Sequence, residues 1–84
     1  MMNYPAVMHV SPQANYVLAL TFDNGEQGTL DMKPYLSFGI FSRLVAHDNF
    51  CRVKVSFDTV EWDSGADLDP AFVYQKCVKT SETV

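Results

Sequence analysis

The chain has 84 residues, 48% of them hydrophobic and 19% charged, and its six Lys and Arg against ten Asp and Glu give a net charge of −4. Disorder is excluded, because it needs fewer apolar residues and more net charge. So is a second independent core, and the shortage of basic residues argues against non-specific nucleic-acid binding.

Ala6 to Val10 reads as a short strand that ends at Ser11-Pro12, where proline cannot donate to a ladder. Tyr16 to Phe22 is the strongest strand signal. Tyr16, Leu18, Leu20 and Phe22 share one face, and Val17, Ala19 and Thr21 the other. Asp23-Asn24-Gly25 then marks a hairpin. A two-residue loop at Asn24-Gly25 puts the large apolar residues on opposite faces. A three-residue loop over Asp23 to Gly25 pairs Leu20 with Gly28, Leu18 with Leu30 and Tyr16 with Met32, and keeps one face apolar. Register follows the buried face, so the longer loop is expected, with Gly25 at positive φ.

Asp31 to Leu36 can form a short helical turn with Pro34 near its start. Ile40, Phe41, Leu44 and Val45 recur at helical spacing and predict a helix over 40–46, broken by Asp48-Asn49. Phe50 to Ser56 alternates as a strand. A turn near Asp58-Thr59 returns the chain through Val60-Glu61-Trp62, with Phe57 facing Val60 and Val55 facing Trp62. After the loop Ser64-Gly65-Ala66, Asp69 caps a last helix with Pro70 in its first position. Phe72, Val73 and Cys77 mark its buried side, and Lys76 and Lys79 its C-terminal end. The expected fold is α+β: a mainly antiparallel sheet of about five strands in two hairpins, short helices on one face and a C-terminal helix. One domain spans 1–84, with an ordered core over about 6–78 and fraying over 80–84.

A core this small yields about 3–5 kcal/mol, so burial against a partner would add materially to stability. Cys51 and Cys77 are too few for a disulfide framework. Reduced thiols are expected, with a bridge from a late strand to the last helix as the alternative. Residues 1–22 lack Lys and Arg, so no basic leader is read, and no apolar run is long enough to span a bilayer. A cytoplasmic protein without membrane contact is expected.

Several of these segments resemble one bacterial family, the domain of unknown function numbered 2442. They are Tyr16-Val17-Leu18-x-Leu20-x-Phe22-Asp23-Asn24-Gly25-Glu26, Leu30-Asp31, Phe41-x-x-Leu44, Phe50, and Trp62-x-x-Gly65-Ala66-Asp67-Leu68-Asp69-Pro70. The likeness runs from about Val7 to Tyr74 and is most distinctive from Trp62 to Pro70. It implies a small α+β domain with no assigned chemistry. Some relatives carry a C-terminal helix-turn-helix, and others are encoded beside another small protein, which implies a regulatory or toxin–antitoxin-like pair. This chain ends soon after its last helix, so direct DNA binding is not expected of it.

Asp58, Glu61, Asp63, Asp67 and Asp69 form an acidic stretch without Lys or Arg. Turn-making and helix-capping explain it best. Its spacing is not that of a calcium loop, so no metal site is assigned. Trp62 is read first as core and second as a binding residue. His9 and His47 have no partners at metal-ligand spacing, and the serines fall in no nucleophile motif. Arg52 and Lys54 share a strand face, where they keep the sheet soluble.

The leading reading is a non-enzymatic protein-interaction module without a cofactor, an antitoxin-like or regulatory partner of another small protein. Its candidate interaction loop is Trp62, Asp63, Gly65 and Asp67. Its structural turn and cap are Asn24, Gly25, Asp69 and Pro70. Homodimerisation through a strand edge is compatible with this. The alternative is a small-ligand or divalent-metal-binding domain using the acidic loop 58–69.

Overall fold

The computed structural model describes residues 4–80. Six strands, β1 (Val7–Gln13), β2 (Val17–Phe22), β3 (Gln27–Asp31), β4 (Val53–Ser56), β5 (Thr59–Trp62) and β6 (Val78–Lys79), combine with two helices, α1 (His47–Phe50) and α2 (Pro70–Lys76). The class is α+β, and every strand pairing is antiparallel. The strands are divided between two sheets, one of order β1-β2-β3-β6 and a β4–β5 ribbon. The ribbon meets the larger sheet where the Val7 N–H donates to the Asp58 carbonyl at 3.0 Å.

Alternation in β2 sets the core. Leu18, Leu20 and Phe22 are buried, while Val17, Ala19 and Thr21 are half-buried on the other face. Leu18 lies opposite Leu30 and Leu20 opposite Gly28, the register of the three-residue loop. Phe22 N–H donates to the Glu26 carbonyl at 2.8 Å, and Gly25 takes a φ of +91° at the end of the loop.

β1 runs past the expected stop at Ser11-Pro12 and reaches Gln13. It is an edge strand, the one place in a sheet where proline's missing donor is tolerated. Tyr16 is not part of β2. Asn15 and Tyr16 both adopt left-handed backbone, at φ 63° and 62°, and turn β1 into β2. The expected Tyr16–Met32 strand pair is replaced by a single bond, Met32 N–H to the Tyr16 carbonyl at 2.9 Å.

The predicted helix over 40–46 is a 3₁₀ segment, Gly39–Val45. At three residues per turn, Phe41 and Leu44 stay on one face, but Ile40 and Val45 swing out. Leu44 is accordingly buried and both of the others are exposed. Asp48 and Asn49 do not break the pattern but form α1, which the Asn49 side chain ties back to the Arg43 carbonyl at 3.0 Å. Phe50 ends this helix rather than starting a strand, and its ring is buried.

β4 and β5 pair in a register shifted by two residues from the expected one, with a turn of the same length. Val55 faces Val60 and Val53 faces Trp62, around a Phe57-Asp58 turn. A slip of two preserves side-chain parity, so Trp62 still points inward. Phe57, expected inside the ladder, is left in the turn.

Asp69 caps α2 as predicted, its carboxylate accepting from the Ala71 and Phe72 N–H groups at 3.0 and 3.3 Å, with Pro70 at the first turn. Val73 and Cys77 are buried, and Phe72 is half-buried. Lys79 is not helical. It lies in β6, a strand not foreseen, which pairs with β3 through Gly28 and Thr29. Gly28 permits that approach, because a Cβ there would sit 2.9 Å from the Val78 carbonyl oxygen. Thr80 N–H donates to the Gln27 carbonyl at 2.9 Å, and the rest of the segment expected to fray lies outside the described residues. The buried apolar side chains form one cluster that draws on both sheets and on α2. Both thiols are free, as expected, Cys77 buried and Cys51 exposed.

Candidate functional site

The predicted interaction loop is rigidly built. Trp62 N–H donates to the Ala66 carbonyl at 2.8 Å and Gly65 N–H to the Trp62 carbonyl at 2.9 Å. Gly65 has a φ of +98°, which favours glycine there. The chain then runs back beside β5, where Leu68 N–H reaches the Val60 carbonyl at 3.3 Å and Thr59 Oγ1 donates to the Leu68 carbonyl at 2.7 Å. Ala66 and Leu68 are buried on this return, while Asp63, Gly65 and Asp67 face solvent.

Trp62 does not belong with those surface residues. Its side chain is 1% exposed, and its indole N–H donates to the Phe50 carbonyl at 2.9 Å. That acceptor lies upstream, at the end of α1. The acidic stretch is likewise dispersed. Asp69 is committed to its cap, and among the described residues no three His, Cys, Asp or Glu side chains are placed to hold a metal ion.

What Asp67 borders is an apolar groove of about 270 Å³ lined by Tyr35, Phe41, Leu68 and Phe72, with Asp67 and Asp69 also on its wall. Three separate elements build it. The 3₁₀ turn Lys33–Tyr35 supplies Tyr35, held by Asp31 Oδ1 accepting from the Lys33 N–H at 2.9 Å. The Gly39–Val45 segment supplies Phe41, whose ring meets Trp62 edge-on at 6.5 Å. The first turn of α2 supplies Phe72, whose ring meets Tyr35 at 5.2 Å. Phe38 and Ile40, just before Phe41, are exposed as well. Of this set the sequence marks Asp67 as a candidate interaction residue and Asp69 as a cap, and points to Phe41 and Phe72 only as apolar faces of helices. The usable signal was the surplus of aromatic residues between Tyr35 and Phe41, more than one buried sheet face requires.

A second cluster ties the hairpin to the C-terminal end of the fold. Glu26 Oε1 accepts from the Tyr74 hydroxyl at 2.6 Å and from the Asn24 amide at 2.9 Å. These bonds, with the Lys79 charge, hold the Glu26 carboxyl below its ordinary value, and the same carboxylate pushes the Tyr74 phenol up. Lys79 Nζ lies 3.7 Å over the Tyr74 ring and donates to the Tyr74 carbonyl at 3.1 Å. Burial raises the Cys77 thiol above its ordinary value. His9 is exposed on β1. His47 begins α1 instead of ending a helix, and its ring lies near Tyr16 and Cys51.

The fold and groove together define a small α+β domain with an apolar depression that has acidic groups beside it. The chain belongs to the family described as Protein of unknown function (DUF2442), whose model matches residues 7–79. That span runs from the first residue of β1 to the last of β6. No curated protein and no solved structure matched the chain. Among the described residues no helix is long and apolar enough to cross a membrane.

Proposed function

We propose that this protein is a non-enzymatic interaction module, an antitoxin-like or regulatory partner of another small protein. The groove between Phe41 and Phe72 receives the partner. One observation carries the reading: half-buried aromatic side chains from three elements line a single depression, and two aspartates stand at its side. Apolar area gives affinity, while the carboxylates select orientation. The occupant is therefore a segment with an aliphatic or aromatic side chain flanked by Lys or Arg. The small core motivates the same reading, since a bound partner adds burial that the isolated chain lacks.

Co-expression with the product of the adjacent gene, followed by size-exclusion chromatography, tests this. Co-elution that weakens in Asp67→Lys supports the groove. Separate elution at micromolar concentration contradicts it.

A further inference from the structure

Phe57 occupies a position that neither packing nor turn chemistry explains. Its side chain is 97% exposed, the most exposed of the large hydrophobic residues among those described. Its φ is +55°, left-handed backbone that a bulky L-residue adopts reluctantly. Two-residue hairpin turns favour Asn, Asp or Gly at such positions. Folding alone would therefore select another residue here.

The turn is nevertheless held firmly. The Asp58 backbone carbonyl accepts from the Val7 N–H at 3.0 Å, and the neighbouring hairpin loop closes on the same end of β1 through Asp23 N–H to the Ala6 carbonyl at 2.8 Å. Asp58 and Asp23 are both exposed, and so is Met8, next to Val7. A phenyl ring is thus presented on a backbone-bonded turn, and the two loops that meet at Ala6-Val7 each carry an exposed aspartate.

We infer that Phe57 is an anchor residue for a partner protein, inserting into an apolar pocket whose rim carries Lys or Arg to face Asp58 and Asp23. Aromatic anchors in desolvated pockets dominate the energetics of many interfaces, and a pre-set turn lowers the ordering cost of binding. A second copy of this chain is a poor host, because its groove would bring Asp67 and Asp69 against Asp58. The inference rests on the reading of the chain as an interaction module but not on the groove.

Two measurements test it. In the purified chain, Phe57→Asn melts at or above the wild-type temperature; a clear fall would mean that the ring serves the fold and would overturn the inference. In cells, benzophenylalanine at position 57 is photo-crosslinked beside the same label at exposed Asp48. The expected result is an adduct specific to position 57 with one protein. Once identified and purified, that protein binds wild type at least tenfold more tightly than Phe57→Ala. No specific adduct, an adduct between two copies of this chain, or equal binding by Phe57→Ala overturns the inference. Asp67→Lys in the same binding assay separates the surfaces. Loss in Phe57→Ala alone removes the groove and keeps the anchor, and loss in Asp67→Lys alone does the reverse.

Discussion

The indole N–H of Trp62 donates to the carbonyl of Phe50 at 2.9 Å, a bond that crosses 12 residues of chain and lies wholly inside the core. It fastens β5 to the end of α1, and the two rings pack 6.2 Å apart. Trp62→Phe leaves the Phe50 carbonyl without this donor and also opens a gap. The expected loss is about 1–3 kcal/mol, the range for an orphaned buried acceptor. Urea denaturation followed by circular dichroism measures it, and an unchanged midpoint would refute the bond's role.

Gly28 and β6 form a second dependency. A Cβ on Gly28 would meet the Val78 carbonyl oxygen at 2.9 Å and the Cys77 Sγ at 3.1 Å. Gly28→Ala must push β6 off the edge of β3, at a cost of about 1–3 kcal/mol typical of overpacking. Hydrogen exchange is expected to speed up at the Thr80 amide, which donates to Gln27. Retained protection there would contradict the close approach.

Asp69 satisfies two N–H groups at the start of α2. Asp69→Ala is expected to cost about 1 kcal/mol, and Asp69→Asn much less, because an amide oxygen also caps. Thermal melts of the two variants distinguish capping from a charge effect.

The Glu26–Tyr74 pair predicts two pH limits of opposite sign. Glu26 is held below its ordinary value of 4.5, chiefly by the Tyr74 hydroxyl and then by Asn24. Its contribution to stability is complete above 4.5 and is lost as pH falls through the folded-state value. Tyr74 is raised above 10.0, chiefly by its bond to Glu26. Its contribution is complete below 10.0 and is lost as pH rises through the folded-state value. Glu26→Gln should flatten the acid arm of the urea midpoint and bring Tyr74 ionisation, followed by tyrosinate absorbance, back toward 10.0. An unchanged titration in that variant would contradict the pairing.

Legibility in the sequence followed the range of the forces involved. The β2–β3 register was readable because only the three-residue loop puts Leu18 and Leu30 on one buried face. Asp69-Pro70 was readable because capping is local. The β4–β5 register was misplaced by two residues because the misplaced and observed pairings bury the same face. β6 was invisible: Val78-Lys79 carries no strand pattern and exists because Gly28, far earlier in the chain, leaves room on β3. The groove was half legible. Asp67 stood in the candidate loop, but Tyr35, Phe41 and Phe72 meet only through tertiary packing, and helical spacing disguised the 3₁₀ geometry that turns Ile40 outward.

The groove is tested most directly by amide chemical shifts of the labelled chain, titrated with the partner recovered by co-expression. Perturbations are expected to centre on Tyr35, Phe41, Leu68 and Phe72, and binding to weaken as salt screens Asp67 and Asp69. Perturbations confined to the outer sheet face around Ser11, Thr21 and Thr29, with affinity indifferent to salt, would contradict it.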